Sequence, residues 1–583
     1  MNGQQPPPRH AAGGAELQPL ETLALLLLAA VVTVTGALWA TGEVSGRIFG
    51  GHWPQTAAAA MGTVVTRFPH QLADPSQAWP PPARTLIPGP LGFYATMTLL
   101  LLPAALIGGL IMRSRAAGRA RQPRSARWAR RQDLKPLRVR TPQAGRLSLG
   151  LANGQLLAAE PRQSVIVIGP VQTGKTTGLA VPAILEWQGP VLATSVKTDL
   201  LRDTHAARSN RHGGEVWVYD PTGGTGFPSA GWTPLSGCRT WQGAQRVAAW
   251  LVGSAHHSTA GIENAEFWYA AAAKLLAPVL HAAAISEQTI ADVIRWIDSQ
   301  EEEEVRWGLE SADDPAALTA FDASCLRDER TRSGVYTTTE TVLAAYADPG
   351  VLKTALTSDL QASRLLDGGP HTAYLCGPAH EQRRLQPLFA TLVQEIVAAA
   401  YQQATETGKP LDPPLLLVLD ECANIAPLRE LATLASTGAG QGIQLVTVFQ
   451  DMAQITAVYG RDRAPTIITN HRAKIVLSGI ADTPTLDYLS RLLGDQEIQH
   501  VSSTSGAEGR HSKTESTAYR ALAPANALRE MKPGEGLLVY GHLPPARLTL
   551  RPWFKDRRLR KQAARNTANP SAGALPSTPP PKT

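Results

Sequence analysis

Residues Gly169-Pro-Val-Gln-Thr-Gly-Lys-Thr-Thr177 form a complete phosphate-binding loop of the pattern G-x-x-x-x-G-K-T. The apolar run 165–168 precedes the loop and Gly178-Leu-Ala-Val follows it, which is the strand–loop–helix context that the motif requires. Glycines let the backbone wrap phosphate oxygens, and N–H groups at the start of the helix face the anion. The sequence therefore predicts a nucleoside triphosphate site made by Gly169, Pro170, Val171, Gln172, Thr173, Gly174, Lys175, Thr176 and Thr177.

Two side chains of the loop and two carboxylates far downstream predict the chemistry. Lys175 is expected to reach the β and γ phosphates, and the Thr176 hydroxyl to ligate Mg²⁺. The apolar run 415–419, typical of a central strand in a parallel sheet, ends in Asp420-Glu421. We expect Asp420 to hold Mg²⁺ through water and Glu421 to polarise the attacking water. Hydrolysis of ATP is thus favoured over binding alone, because a nucleotide switch does not need that glutamate.

Two apolar stretches near the N-terminus, residues 20–40 and 91–112, each have about the 20 residues that cross a bilayer. Twelve Lys and Arg residues against one acid lie between Arg113 and Arg146. The positive-inside rule therefore predicts two transmembrane helices, a cytoplasmic N-terminus, an outside loop 41–90 and a cytoplasmic remainder. A signal peptide is the alternative for the first stretch, but no compact small-residue cleavage site follows it directly. The arginine run is expected to anchor at anionic lipid headgroups.

The positive charge is confined to two flanking segments. The chain carries +7 in all, with +11 on residues 113–146 and +7 on residues 551–583, which leaves −11 on the remainder. The high pI is therefore no argument for nucleic-acid binding, and any DNA contact requires a local basic lining such as the lumen of a ring. Neither a zinc site nor a disulfide framework is indicated by the widely separated cysteines Cys238, Cys325, Cys376 and Cys422.

The chain divides into regions of different composition. We predict a disordered segment 1–19, a membrane domain 20–112, a basic connector 113–150, a nucleotide-binding domain 151–240 plus 357–554, an all-α insertion 241–356 and a disordered proline-rich tail 555–583. Alternating strands and helices predict a parallel α/β sheet. Its candidate strands are Val191–Thr194, Glu215–Tyr219, Thr372–Cys376, Leu415–Leu419, Ile443–Val448, Ala473–Leu477 and Gly536–Tyr540. The acidic run 301–304 is interpreted as a solvated helix face.

Taken together, two N-terminal spans, a phosphate loop, a helical insertion and a late Leu-Asp-Glu motif resemble the coupling proteins of conjugative type IV secretion, of the TraG/TraD type. Lys197-Thr-Asp-Leu resembles the family's Lys-x-Glu/Asp-Leu segment, and Tyr219-Asp-Pro resembles its strand-terminal Asp-Pro. The stretch 437–443 is similar to the segment before the strand that ends at Gln450. Near Ala439, where the family usually has an arginine, this chain has none.

The resemblance implies a RecA-like P-loop motor with an inserted all-α domain, which assembles as a homo-hexameric ring at the bacterial inner membrane. It implies ATP and Mg²⁺ as cofactors, DNA bound without sequence preference (single-stranded DNA favoured), and delivery of a relaxase–DNA complex to a type IV secretion channel. Gln450 would sense the γ-phosphate, or is a plain strand-end glutamine. Arg472, with Arg429 as second candidate, would reach the γ-phosphate of a neighbouring subunit, or both are surface arginines.

Other protein classes fit less well. An ABC transporter ATPase would carry an LSGGQ-like signature and a membrane-bound AAA protease a His-Glu-x-x-His motif, and neither occurs in the sequence. A double-stranded DNA pump of the FtsK kind shares the expected fold but usually carries a C-terminal winged helix, and the residues after Phe554 are too few and too polar for one. A receptor that docks secreted proteins and uses nucleotide only to assemble is the non-enzymatic alternative.

Overall fold

The structure is a computed structural model that describes residues 19–119, 125–255, 264–311, 314–505 and 511–564. The chain falls into two units, an N-terminal unit up to Arg124 and an α/β unit from Ser125 onward. Most of the predicted disordered N-terminus and the tail from residue 565 lie outside the described residues.

Helices make up the N-terminal unit, whereas strands and helices alternate in the α/β unit. The described helices are α1 Pro19–Phe49, α2 Ala58–Arg67, α3 Pro90–Arg119, α4 Val181–Glu186, α5 Thr198–Ser209, α6 Trp241–Ala255, α7 Ala265–Ile285, α8 Ile290–Asp298, α9 Glu303–Ser311, α10 Pro315–Cys325, α11 Glu329–Leu343, α12 Pro349–Thr354, α13 Ala362–Leu365, α14 Gln382–Thr407, α15 Cys422–Ile425, α16 Leu431–Gln441, α17 Met452–Tyr459, α18 Ala464–Asn470, α19 Thr483–Leu493, α20 Ala525–Arg529 and α21 Arg557–Ala563. The described strands are β1 Ser148–Ala152, β2 Gln155–Ala158, β3 Val165–Ile168, β4 Val191–Ser195, β5 Val216–Tyr219, β6 Thr372–Cys376, β7 Leu415–Leu419, β8 Ile443–Phe449, β9 Ala473–Leu477, β10 Asp495–Ser505, β11 His511–Ala521, β12 Glu535–Tyr540 and β13 Ala546–Thr549.

In the N-terminal unit, the segment between α1 and α3 is folded and packs against α1. Helix α1 continues beyond the predicted end of the first span, and its glycines recur at every fourth position there. A Cβ on Gly42 would lie 2.8 Å from the ring of Trp79, and one on Gly46 would overlap the ring of Pro54. Trp79 also packs edge-on against Phe93 of α3, with ring centroids 5.3 Å apart. The absence of side chains on this face of α1 is what lets the segment approach it.

Apolar side chains are exposed along α1 and α3, among them Val32, 63% exposed, and Leu99, 67% exposed. Among the described residues, only α7 combines the length and mean hydropathy of a membrane-crossing helix, and 72% of its apolar window is buried, as expected for a core helix. The described apolar part of α3, Pro90–Pro103, is shorter. The two predicted spans stay predictions, because part of each lies outside the residues whose side chains are described.

The α/β unit is built on an eleven-stranded sheet with the order β2-β1-β13-β12-β9-β3-β8-β7-β4-β6-β5. The seven strands from β9 to β5 are parallel, as predicted. The expectation of a wholly parallel sheet is wrong, because β12, β13, β1 and β2 add an antiparallel edge. Short connections account for the antiparallel pairs β1–β2 and β12–β13, since antiparallel neighbours can be joined by a tight turn whereas parallel ones need a crossover. The pairs β9–β12 and β1–β13 join strands that are far apart in the chain. The turn from β1 to β2 is Asn153-Gly154, both with positive φ.

Two hydrophobic cores cover the two faces of this sheet, because successive side chains of a strand point to opposite faces. On β3, Ile166 and Ile168 join one core, while Val165 and Val167 join the other. The core that contains Ile166 continues without interruption into helices α6 to α12, which are inserted between β5 and β6 and are called the helical lobe here. The lobe and one face of the sheet therefore share a single core.

Charged groups in the lobe and its flanks are more engaged than the sequence suggested. Glu304, from the acidic run expected to be solvated, pairs with Arg295 at 2.7 Å and accepts a hydrogen bond from the indole N–H of Trp296. Residues 125–147, which belong to the predicted basic connector 113–150, are part of the α/β unit and bury Leu134, Leu137 and Leu147 in one of its cores. There Arg127 pairs with Asp133 at 2.6 Å and holds the pKa of that carboxyl at about 2.

The chain beyond Phe554 is also ordered further than predicted. Helix α21 buries Leu559 completely and packs on α4 and α5, although the tail was expected to be disordered from residue 555. Strands β10 and β11 form a separate two-stranded ribbon outside the main sheet.

Candidate nucleotide site

The phosphate loop lies between β3, in the middle of the sheet, and a helical turn that leads into α4. Gln172 and Gly174 have positive φ angles of 64° and 86°, so the backbone curls back on itself within the loop. The Thr173 hydroxyl donates to the carbonyl of Pro170 at 2.9 Å and closes the turn. Consecutive N–H groups of such a loop can line an anion-binding concavity, as the sequence predicted.

Lys175 is 9% exposed and its ammonium group folds back on the loop. Its Nζ donates to the carbonyls of Gly169 and Pro170. Burial lowers the pKa of Lys175, and the nearby carboxyls of Asp420 and Glu421 oppose that change. An incoming phosphate would offer the ammonium group a charged acceptor in place of two neutral carbonyls, which is a stronger hydrogen bond.

The two predicted nucleotide motifs meet through one hydrogen bond. The Thr176 hydroxyl donates to Oδ2 of Asp420 at 3.0 Å, although the two residues are far apart in the chain. Asp420 follows β7, which is separated from β3 by β8. The backbone carbonyl of Asp420 accepts a hydrogen bond from the hydroxyl of Thr194 at 3.1 Å. Thr194 lies on β4, the other strand next to β7. Burial raises the pKa of Asp420 from 3.8 to about 6, with Glu421 adding to the rise and the Thr176 hydroxyl opposing it.

Thr176 and Asp420 together fit a magnesium ion that is shared with a nucleotide. Hydroxyl and carboxylate oxygens are hard ligands, and Mg²⁺ characteristically takes one or two of them and completes its shell with phosphate oxygens and water. Within the described ranges there is no cluster of three His, Cys, Asp or Glu side chains that would hold a metal by itself. The donor set therefore suits an ion that arrives with the triphosphate.

Glu421 has a left-handed backbone, with φ 54° and ψ 49°. A non-glycine residue in this region carries conformational strain of roughly 1–3 kcal/mol and is concentrated at functional sites. Oε2 of Glu421 accepts from the side-chain amide of Asn424 at 3.1 Å. Asn424 in turn accepts from Gln454 at 3.5 Å. The sequence did not lead us to predict Asn424 and Gln454. The one available indication was that each carries a carboxamide about one helical turn after a predicted site residue, Glu421 and Gln450 respectively.

Gln450 directly follows β8, the strand between the phosphate-loop strand and β7. Its backbone N–H donates to the side chain of Gln454 at 2.8 Å, which connects it to the Glu421–Asn424 pair. Within the described part of the chain, no hydrogen bond is made by the Gln450 side-chain amide, so that group is available to a ligand.

Arg472 is not near the nucleotide site of its own chain. It precedes β9, whose first residue pairs with Val165 at the start of β3. Arg472 therefore lies at the amino ends of the parallel strands, whereas the phosphate loop lies at their carboxyl ends. Its guanidinium pairs with Glu160 at 2.9 Å and lies over the ring of Tyr540. Arg429 follows α15, closer to Glu421 in the chain, and is exposed. Contact with a neighbour's nucleotide stays a prediction for both arginines.

The segment after β13 covers the helix that follows the phosphate loop, which the sequence did not indicate. The backbone N–H of Trp553 donates to the carbonyl of Thr177 at 3.0 Å. A Cβ on Gly178 would lie 2.9 Å from Cβ of Leu550. The indole N–H of Trp553 donates to Asp203 of α5 at 3.0 Å. Gly178 is thus a close-approach glycine as well as part of the extended motif.

Residues 121–574 match the sequence profile of the family described as Type IV secretory system Conjugative DNA transfer. The chain belongs to this family. It is 27% identical over 330 residues to the conjugal transfer protein TraG of Escherichia coli, which covers 52% of this chain and 51% of that protein. It is 26% identical over 423 residues to Protein VirD4 of Agrobacterium fabrum, covering 70% and 61%. The matches thus span about half to two thirds of these relatives.

Solved coupling proteins share the fold of this family member. The bacterial conjugative coupling protein TrwBdeltaN70 has a TM-score of 0.57 at 18% sequence identity, over 73% of this chain and 92% of the other. TrwB in complex with ADP and Mg²⁺ has a TM-score of 0.56 at 19% identity, over 74% of this chain and 94% of the other. The expected nucleotide-binding α/β fold is thereby confirmed.

Proposed function

We propose that the protein is a membrane-anchored ATPase that recruits DNA, in the form of a relaxase–DNA complex, and pumps it to a type IV secretion channel. The observation that carries this proposal is the 3.0 Å hydrogen bond between Thr176 and Asp420, which joins the phosphate loop to the end of β7. Glu421 adjoins that contact, where a carboxylate would face the γ-phosphate side of a bound nucleotide.

ATP and Mg²⁺ are the proposed cofactors. Solved TrwB complexes contain the ATP analogue ADPNP in one case and ADP with Mg²⁺ in another. In this chain Lys175 would hold the β and γ phosphates, while Thr176 and Asp420 would orient the metal. The metal would neutralise charge that develops on the phosphates. Glu421 would orient and polarise the attacking water, with its carboxylate positioned by Asn424, and Gln450 would contact the γ-phosphate.

Sequence-independent DNA binding follows from the family and from the charge distribution. The body of the chain is acidic, so a single copy offers few phosphate contacts and a homo-hexameric ring would combine the contacts of several copies. Contacts of this kind depend steeply on salt because phosphate binding releases counterions. Relaxase and channel components are the proposed protein partners, and Arg472 is the first proposed arginine for a neighbouring active site.

Anchorage in the bacterial inner membrane is proposed through α1 and α3. The exposed apolar side chains of these helices would face lipid, and the arginines after α3 would lie on the cytoplasmic side. This places the N-terminus and the nucleotide site in the cytoplasm, where ATP is available.

The test is phosphate release by the full chain in detergent micelles or nanodiscs, with and without single-stranded DNA of mixed sequence. Wild type should hydrolyse ATP faster with DNA. Lys175→Ala should lose nucleotide binding, whereas Glu421→Gln should bind ATP and not hydrolyse it. Glu430→Gln is the matched control, because Glu430 is an exposed carboxylate on the same segment. Hydrolysis by Glu421→Gln at the wild-type rate would refute the role of Glu421, and full activity from a monomer indifferent to DNA would favour a docking receptor.

A further inference from the structure

Two arginines outside the nucleotide site line one cavity at the junction of the helical lobe and the sheet domain. Arg429 lies between α15 and α16, on the connection that leaves β7. Arg463 immediately precedes α18, on the connection that leaves β8. Because β7 and β8 are adjacent and parallel, the two connections run side by side. The fold thus places on one cavity two arginines that are separated in the sequence.

The cavity has a volume of about 680 Å³ and is lined by polar and apolar atoms in similar measure. Helices α6 and α7 contribute Val252, Gly253 and Ala273, and α17 contributes Val458. Glu266 is the one carboxylate among its lining residues in the described ranges.

Neither guanidinium is satisfied by the protein. In the part of the chain that the structure describes, Arg429 and Arg463 make no ion pair and no side-chain hydrogen bond, and both are exposed. Other arginines of the same domain are fully engaged, such as Arg384, which pairs with Asp348 and Glu381. Two cations that share one cavity with a single carboxylate leave a net positive site, which an anion would neutralise.

We propose that Arg429 and Arg463 form a phosphate-binding site. The planar guanidinium fork matches two oxygens of a phosphate group, and two such forks can hold one phosphate or two successive ones. The source of the phosphate is either the backbone of DNA or the nucleotide of a neighbouring copy in the ring. That choice of source, unlike the site itself, rests on the proposed function.

The site is placed to communicate with hydrolysis. Tyr459 lines the cavity, and its hydroxyl lies 3.8 Å from the thiol sulfur of Cys422, the residue after Glu421. Cys422 is fully buried and Tyr459 is 8% exposed, and packed neighbours of this kind transmit small displacements because protein interiors are dense. Binding of a phosphate by Arg429 and Arg463 would therefore be able to shift the segment that positions Glu421.

The first experiment tests anion binding without assuming the proposed function. In full-length chains that carry Lys175→Ala, inorganic tripolyphosphate should raise the melting temperature, and Arg429→Gln with Arg463→Gln should abolish that rise. Arg461→Gln is the matched control, because Arg461 is exposed on the same loop but does not line the cavity. An equal rise in the double variant and the control would overturn the proposal. Equal melting temperatures without ligand establish that the double variant is folded.

The second experiment identifies the source of the phosphate. If it is DNA, the double variant should bind a labelled single-stranded oligonucleotide at least about tenfold more weakly than the control. Its slope of log affinity against log salt should also fall by about 0.7 for each guanidinium lost. If the source is a neighbour's nucleotide, oligonucleotide affinity is unchanged, hydrolysis without DNA is lost, and mixing with Glu421→Gln copies restores part of it. A double variant that matches Arg461→Gln in both measurements would overturn the proposal.

Discussion

Replacing Asp420 by asparagine should stabilise the nucleotide-free protein at neutral pH while it destroys function. Asp420 is 7% exposed, and burial raises the pKa of its carboxyl to about 6. The folded chain therefore binds this proton more tightly than the unfolded chain, in which the pKa is near 3.8. Above pH 6 the folded protein must hold an ionised carboxylate in a site that disfavours it. Asparagine has no such charge, and its amide oxygen can still accept from Thr176.

The size of the effect follows from the pKa. Each pKa unit corresponds to about 1.36 kcal/mol, so the rise from 3.8 to about 6 makes ionised Asp420 destabilising by about 3 kcal/mol. This penalty is complete above pH 6, declines as the pH falls, and is lost below about pH 4, where the carboxyl is protonated in both states. For a domain of this size, about 3 kcal/mol corresponds to a rise of roughly 3–6 °C in the melting temperature.

The assay is thermal unfolding of the full chain in detergent micelles, with chelator, between pH 4 and pH 8. Asp420→Asn should melt above wild type at pH 8, and the two curves should converge towards pH 4. Adding Mg²⁺ and ATP should reverse the order once the ligand concentration reaches about 1,000 times the Kd, because only wild type gains binding energy, which is then about 4.1 kcal/mol against the penalty of about 3 kcal/mol.

Asp462→Asn is the control, because Asp462 is exposed and the same chemical change there removes no buried charge. A melting temperature of Asp420→Asn at or below wild type at pH 8, or a difference that does not vary with pH, would refute the reasoning.

Three further predictions concern packing and topology. Gly178→Ala should lower the free energy of unfolding by about 1–3 kcal/mol and weaken nucleotide binding, because the new methyl group meets Leu550. The control Gly440→Ala lies in α16 with open space around it, so in the same denaturant titration it should be neutral or raise that free energy by up to about 1 kcal/mol. Arg208→Met should cost about 3–5 kcal/mol, because this fully buried guanidinium donates to five oxygens, whereas Arg202→Met on the exposed face of α5 should cost less than about 1 kcal/mol. All four native cysteines are buried, so an introduced cysteine can be labelled selectively. A membrane-impermeant thiol reagent should label His70→Cys in intact spheroplasts, and a cysteine on α21 only after lysis. Labelling of both cysteines only after lysis would contradict the predicted topology.

Sequence patterns identified the parallel half of the sheet well and the antiparallel half poorly. All seven predicted strands exist, because apolar runs such as 415–419 reflect burial on both faces. Strands β1, β2 and β13 were missed, since their pairing joins the two ends of the domain and leaves no local pattern. The Asn153-Gly154 turn between β1 and β2 is nevertheless a typical hairpin signal. Ribbon β10–β11 was missed because its polar, Ser- and Thr-rich strands lack apolar alternation.

The candidate site likewise has features that could be predicted from the sequence and features that could not. Motif spacing was enough to predict that Thr176 and Asp420 converge, because the carboxyl ends of parallel strands meet at one edge. It could not indicate the left-handed backbone of Glu421, which depends on the local packing of α15, or the amides of Asn424 and Gln454 that connect it to Gln450. The position of Arg472, by contrast, could be predicted: it precedes a strand of the parallel set, so it lies at the amino end of that strand and at the edge opposite the phosphate loop.

Because the helical lobe and the sheet share a single core, we expect the lobe to move together with the sheet and not about a flexible hinge. Ile166 beneath the phosphate loop and Leu280 in the middle of the lobe belong to one continuous packed cluster. Such interiors have low compressibility, so the lobe would rotate with the sheet during a nucleotide cycle. Because the surface of the lobe is further from the rotation axis, its displacement would be larger than that of the sheet. Whatever binds to that surface would be moved at each step without any flexible joint in between. Deleting the lobe would likewise expose the apolar side chains of α14 that pack against α6, so its removal should destabilise the α/β unit as well as remove a binding surface.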